Sequence, residues 1–269
     1  MSRLKTMAKS KIINKSEQSA SNPVNPIVIV PSRMASSRLP GKPLKDINGL
    51  PMIVHVLNRA LEADVGPVVV ACAEKEIYQV VCDAGGRAVL TNSSHQSGSD
   101  RVYEALSIID PDQKHDVIIN LQGDLPTIEP KVIRAALQPL GNPDVEIATL
   151  VSEITNHEEK RNSSVVKVAV SFVDGEFVGR ALYFSRACIP SGQGAVYHHL
   201  GLYAFRRDAL SHFVSLKPAP LECREGLEQL RALEDGMRID AVLVDTLSLG
   251  VDTSADLELV RELLKMLNK

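Results

Sequence analysis

Several things are missing from this 269-residue chain, and each absence narrows what it does. No apolar run approaches the roughly 20 residues that a bilayer-spanning helix needs, so no membrane segment is expected. There is no basic excess: 30 Lys and Arg stand against 33 Asp and Glu, a formal net charge of −3. Nucleic-acid-binding domains carry the opposite balance, so nucleic acid is not an expected partner and any anion site must be local. The four cysteines, Cys72, Cys82, Cys188 and Cys223, form no CxxC pair and read as reduced thiols in a reducing compartment. Residues 1–25 are polar and basic without a central apolar block, which excludes a secretory signal and predicts a flexible leader. Its lysines leave open a contact with a membrane or an acidic partner. A cytoplasmic location follows from these features together. There is no internal repeat.

A glycine-rich phosphate loop is missing too. The stretch IVIVPSRMASSRLPGKP (27–43) empties a β-branched run into a loop holding Arg33, Arg38 and Lys42. Gly41-Lys42 is followed by Pro43, and no glycine stands five residues before Gly41, so the pattern GxxxxGK[ST] is not met. That steers away from enzymes that transfer the γ-phosphate.

What is present is an alternation of strand-like and helix-like runs. IVIV (27–30), PVVVAC (67–72), RAVLT (87–91) and DVIINL (116–121) read as strands. PMIVHVLNRALEAD (51–64), EKEIYQVVCDAGG (74–86), SDRVYEALSIID (99–110, capped by Ser99) and EPKVIRAALQPL (129–140) read as helices. This order predicts an α/β fold, Rossmann-like, with a mostly parallel sheet flanked by helices. Beyond about residue 145 the strands are joined by short connections, so 145–205 is expected to be a smaller β-rich part within a single domain spanning 26–269. Helices are expected over 221–236 and 253–268, with Thr253 or Ser254 as the last cap. In parallel sheets ligands sit beyond the carboxyl ends of the strands, so loops 32–43, 92–98 and 122–126 should meet at one edge.

Three motifs carry chemistry in such an edge. The basic loop offers planar guanidinium forks and a lysine point charge for phosphate, together with the backbone amides around Ala35 to Ser37. Its plain alternative is a solvated turn. Asp124 in QGDLP follows a buried-looking strand and is placed to hold a hard divalent ion on a phosphorylated substrate. An Asx turn closing the strand is the alternative. Asp252 in LGVDTSADL precedes a helix and is either a second metal ligand or a turn acid at a helix start. Two carboxylates at sheet loops beside a basic loop make a magnesium-nucleotide arrangement.

PSRMASSRLPGKPL, NGLPMIVHV, HQSGSDR, NLQGDLP, ALYFSRACIP, HHLGLYAF, LEQLRAL and GVDTSADLE, in that order, resemble the successive blocks of the 3-deoxy-manno-octulosonate cytidylyltransferases. The resemblance runs from about Pro26 to the end of the chain. It implies a nucleotidyltransferase-type fold that transfers CMP from CTP to the anomeric hydroxyl of 3-deoxy-D-manno-octulosonate (Kdo). The products are CMP-Kdo for lipopolysaccharide biosynthesis and pyrophosphate. It further implies that Arg33, Ser36 and Lys42 contact the triphosphate and that Arg101 and Gln122 hold the nucleotide. Asp124 and Asp252 would bind Mg2+, with Lys42, Asp124 and Asp252 as the catalytic set. Arg186, His199, Tyr203, Glu228 and Gln229 would line the Kdo pocket, Arg186 facing the sugar carboxylate. Loss of the hydroxyl proton would rest on the metal held by the two acids, with His199 as the alternative base. A homodimer, paired through the β-rich part, is implied as well.

Each residue has a plainer reading. Arg186 fits a strand-end cap. His199 and Tyr203 alternate on one strand face, as ordinary packing would. Glu222, Glu225 and Glu228 fall three apart, as on a solvated helix face. The chain also departs from the family pattern. Leu125 replaces a Glu after QGD, SGQGAVY is a shortened segment, His198 stands where Arg is frequent, and LECREG replaces a more apolar helix start. These departures predict altered sugar-pocket edges and not loss of the reaction, because the basic loop and both acids remain. The alternatives are activation of another acidic keto sugar by CTP, a nucleotide-binding protein without turnover (suggested by Leu125 and the shortened segment), and a transferase that uses a nucleotide-sugar donor.

Overall fold

Residues Pro26–Ser32 form a strand, β1, and all seven are buried. β-Branched side chains on both faces suit a strand covered from both sides. The structure is a computed structural model that describes residues 25–36, 38–246 and 250–267. The expected leader, apart from Asn25, lies outside the described residues, as does Ser37 of the basic loop.

After β1 come a single 3-10 turn (Lys42–Leu44), β2 (Asp46–Ile47), β3 (Leu50–Pro51), α1 (Met52–Glu62), β4 (Val68–Cys72), α2 (Lys75–Asp83) and β5 (Arg87–Leu90). The chain continues through α3 (Gly98–Ile109), β6 (Val117–Leu121), α4 (Pro130–Ala135) and a second 3-10 turn (Gln138–Gly141). Next are β7 (Ile147–Glu153), α5 (His157–Arg161), β8 (Lys167–Phe172), β9 (Val178–Ser185) and β10 (Tyr197–Arg206). The final elements are α6 (Arg207–Ser215), α7 (Pro220–Glu225), α8 (Leu230–Glu234), β11 (Ile239–Val244) and α9 (Ser254–Leu267).

Two compact units are present. The larger comprises Asn25–Arg134, Gly201–Leu216 and 250–267. Its strands run in the order β5-β4-β1-β6, all parallel, and the end of β10 adds antiparallel to β6. β4 and β6 are buried throughout, whereas the edge strand β5 is partly exposed. A buried cluster of Leu39, Ile47, Met52, Val251, Leu257, Val260 and Leu264 fastens the closing helix α9 to the loop after β1 and to α1. The smaller unit comprises Ala135–Leu200 and Lys217–Thr246. There β7 and β11 are parallel, β11 and β9 antiparallel, and β9 and β8 antiparallel with a bulge at Ala169/Val170.

Three expectations need correction. The single helix over 221–236 is two helices, because Gly226 adopts φ +65 and ends α7 with a left-handed cap. The helix over 129–140 stops at Ala135, and Pro139, which has no N–H to donate, sits in a 3-10 turn. The cap of α3 is Ser97, whose Oγ accepts from the Asp100 amide at 3.1 Å, while Ser99 lies buried in the first turn.

Candidate active site

β1 and β6 are parallel neighbours, so the loops that leave them emerge side by side. Between these loops and the start of α3 lies a cleft of about 310 Å3 within the larger unit, lined by residues of loops 32–43, 92–98 and 122–126 and by Asp252. The three loops expected to meet do meet.

Loop 33–43 folds back on itself: the Gly41 amide donates to the Met34 carbonyl at 3.3 Å. Gly41 has φ +68, a conformation L side chains rarely adopt, and so turns the chain into the 3-10 turn that carries Lys42. Across the cleft, Gly123 permits close approach of two backbones, since a Cβ there would stand 2.9 Å from the Pro31 carbonyl oxygen. Asp124 follows directly. Its carbonyl accepts the Val251 amide at 2.9 Å, which brings Asp252 alongside. Asp252 is steadied by Asp256, whose Oδ2 accepts from the amides of Asp252 at 3.0 Å and Thr253 at 2.8 Å and from Thr253 Oγ1 at 2.9 Å.

These supports converge on one charge cluster. Lys42 Nζ donates to Asp124 Oδ2 at 2.7 Å and to Asp252 Oδ1 at 3.1 Å. Arg38 of the basic loop places Nη2 3.1 Å from Asp252 Oδ2. Burial by itself would lower the Lys42 pKa, but Asp124 and Asp252 outweigh it and hold the ammonium above its ordinary value. Lys42 therefore stays charged at neutral pH.

Arg101 and Gln122 line the same cleft. Arg101 is buried; its Nη1 donates to Thr91 Oγ1 at 2.6 Å and to the Asn92 carbonyl at 3.2 Å, and its buried Nη2 has no partner among the described residues. Such an orphaned donor costs free energy unless a ligand atom accepts from it. Gln122 Nε2 donates to Asn120 Oδ1 at 2.9 Å. Arg33 makes one long contact, to the His95 carbonyl at 3.4 Å, and Ser36 Oγ accepts weakly from the Leu39 amide at 3.4 Å. The Met34 amide is engaged by Glu74 at 3.0 Å and is not offered to a ligand. Sequence reasoning did not single out Glu74 or Ser97; the S-x-x-D spacing of Ser97 and Asp100 was the signal available for the second.

Of the residues expected around the sugar, Tyr203 lies in the larger unit, half-buried, its ring 5.8 Å from that of Phe205. Arg186, His199, Glu228 and Gln229 belong to the smaller unit. Arg186 directs its guanidinium at three carbonyls, of Glu225 at 2.9 Å, Ser163 at 3.2 Å and Gly226 at 3.4 Å. Glu225 in turn accepts from the Arg186 amide at 3.0 Å and Ser185 Oγ at 2.8 Å. Glu222 pairs with Arg231 at 2.6 Å. Glu222 and Glu225 are thus structural acceptors, not a solvated face. Buried His199 places Nε2 2.9 Å from Thr149 Oγ1 and packs edge-on against Phe184 at 5.0 Å. Burial, then its neighbour His198, push its pKa down to about 3. Its ring is neutral at physiological pH. Glu228 is half-buried, and Gln229 is buried with Nε2 lacking a partner among the described residues.

The departures also find places. Leu125 is buried and faces the Gly250 backbone, so packing replaces the family's extra acid. His198 Nδ1 stands 2.8 Å from Glu159 Oε1.

Among the described residues no group of three or more His, Cys, Asp or Glu side chains is arranged to hold a metal. Magnesium needs fewer: one or two carboxylates, with phosphate oxygens and waters completing its octahedron. Asp124 and Asp252, both within 3.1 Å of one nitrogen, are close enough together to fit that demand. No helix among the described residues is long and apolar enough to cross a membrane.

The cytidylyltransferase family pattern matches residues 27–239. A 3-deoxy-manno-octulosonate cytidylyltransferase of Paramagnetospirillum magneticum is 59% identical over 90% of this chain and 98% of its own length. One of the same description from Rhodospirillum centenum is 58% identical over 90% of this chain and 94% of its own. A solved structure of CMP:2-keto-3-deoxy-manno-octonic acid synthetase complexed with CTP is 39% identical, covers 90% of this chain and 99% of that one, and aligns with a TM-score of 0.83. With a nucleotidyltransferase-like α/β fold, a cationic cleft at its sheet edge and relatives of this identity over nearly the whole chain, the protein belongs to the 3-deoxy-manno-octulosonate cytidylyltransferase family.

Proposed function

We propose that the protein transfers CMP from CTP to the anomeric hydroxyl of Kdo, forming the bond from that oxygen to the α-phosphorus and breaking the α–β phosphoanhydride to release pyrophosphate. The observation that carries this reading is the meeting of Lys42, Arg38, Asp124 and Asp252 in one cleft with Arg33 and Arg101. Displacement at phosphorus is governed by positioning and by neutralising charge, and needs little covalent help. Arg33, Lys42 and Arg38 supply cations for a triphosphate and for the departing pyrophosphate, and Ser36 adds a hydroxyl donor. Arg101 Nη2 and Gln122 provide the donors that hold the nucleotide.

Asp124 and Asp252 would hold Mg2+. When bound, that ion polarises phosphoryl oxygens and favours loss of a proton from a neighbouring hydroxyl. Within the smaller unit, Arg186 suits the sugar carboxylate, and Glu228 and Gln229 suit its hydroxyls. The neutral, Thr149-bonded His199 supports a fixed contact over a base that cycles its proton. A cytoplasmic homodimer accords with this reading, and the exposed apolar side chains of Val173 and Leu182 in the smaller unit favour a covering partner.

The test is turnover of CTP with Kdo and magnesium, read as pyrophosphate release. Asp124→Ala should reduce it at least about 100-fold. Release no faster than that of the variant would sink the assignment. Release with another keto-acid sugar in place of Kdo would move the specificity but keep the chemistry.

A further inference from the structure

Two cations already sit on the pair of carboxylates assigned to the metal. Lys42 Nζ spans them, 2.7 Å from Asp124 Oδ2 and 3.1 Å from Asp252 Oδ1, while Arg38 takes the other oxygen of Asp252 at 3.1 Å. The local balance is two positive against two negative charges. We propose that Lys42 is a displaceable counter-ion: in the nucleotide-free protein its ammonium group holds Asp124 and Asp252 in place of the metal, and the acids become available to a divalent ion only when triphosphate oxygens draw the ammonium away. This rests on the metal assignment made above and adds an order to it, in which the metal site is completed by the nucleotide.

The argument is one of charge and reach. A divalent ion entering the cleft meets a ligand set whose charge is already compensated, and must displace an ammonium ion from its hydrogen bonds to Asp124 and Asp252. A triphosphate brings enough negative charge to rehouse both Lys42 and Arg38. Lysine suits the exchange because its charge is compact and sits on a flexible four-carbon stem, whereas a guanidinium fork is held to a fixed plane. The stem rises from a 3-10 turn fixed by Gly41 and Pro43, so the ammonium can change partners without moving backbone. The acids are only partly covered, 30% exposed at Asp124 and 46% at Asp252, which leaves an ion a path to them.

The test is Mn2+ binding, followed by the electron paramagnetic resonance signal of the free ion, in the absence of nucleotide. Lys42→Ala and Lys42→Met should bind Mn2+ at least about tenfold more tightly than the wild type, because a positive charge a few ångströms away is removed. Lys42→Arg, which keeps the charge, should bind as weakly as the wild type. If neither neutral variant gains affinity while both keep the wild-type circular dichroism, the counter-ion role is overturned. The same titration with a non-hydrolysable CTP analogue separates the two readings. Tight Mn2+ binding to the wild type that is lost in Asp124→Asn upholds the carboxylate assignment whatever Lys42 does. Its absence overturns the assignment and the inference together.

Discussion

Gly123 has no side chain, and the backbone of β1 and the Ile53 side chain of α1 leave little room for one. A Cβ at this position would lie 2.9 Å from the Pro31 carbonyl and 3.5 Å from Ile53 Cδ1, so backbone must shift. Gly123→Ala is expected to cost about 1–3 kcal/mol of stability. By displacing Asp124 it should lower turnover about 100-fold. Thermal unfolding and pyrophosphate release measure the two effects, and wild-type turnover in a folded variant would contradict the role given to this turn. His199 makes a second prediction at this scale. Its pKa in the fold, about 3, lies below that of an unfolded histidine, so the unfolded chain takes up the proton first as the pH falls. The stabilising share of the neutral ring is complete above about pH 6.5 and shrinks below it, by at most about 2 kcal/mol at pH 5. Urea unfolding between pH 7.5 and pH 5 should show that decline, and His199→Gln should flatten it. The partly buried His198, its pKa lowered by burial against the pull of Glu159, contributes to the residual slope.

Among elements, α9 has the most consequence for the site. Its apolar positions Leu257, Val260 and Leu264 pack with Leu39 and Met52, and its first turn is tied by Asp256. Burial would raise the Asp256 pKa, but hydrogen bonds from Asp252 and Thr253 outweigh it and hold the carboxyl below its ordinary range. This contribution is present above the unfolded pKa and is lost as the pH falls through the lower folded value. Asp256→Ala should cost about 1–2 kcal/mol, as losing a helix cap does, and should raise the magnesium concentration needed for half-maximal turnover because Asp252 loses its support. Asp256→Asn, which keeps an acceptor, should retain most of both. Magnesium dependence unchanged in Asp256→Ala would separate the cap from the site. This helix was legible in the sequence because its apolar spacing and its Thr-x-x-Asp start are local signals. The break at Gly226 was missed because Glu222, Glu225 and Glu228 keep a three-residue spacing through it, although the glycine itself was the available stop signal.

For the whole molecule, chelation with EDTA should abolish pyrophosphate release, and added Mg2+ should restore it. Activity persisting through exhaustive chelation would remove the metal from the proposal. Sedimentation velocity at micromolar concentration is expected to give twice the chain mass, with Leu182→Lys shifting the protein toward the monomer. Leu182 and Val173 are 57% and 72% exposed in the single chain, and covering such surface is favourable. A wild-type monomer would contradict the dimer.

Burial on both faces, read as β-branched runs between amphipathic ones, determined the parallel α/β core from the sequence alone. The order of elements also determined which loops follow strand ends, and with that where an anion site had to lie. Only the tertiary structure decided how the charges meet. Lys42 reaches acids 82 and 210 positions away. No local spacing encodes that meeting. It arises because β1 and β6 are neighbours in the sheet and because the Val251 amide, held by the Asp124 carbonyl, brings the distant acid beside the near one.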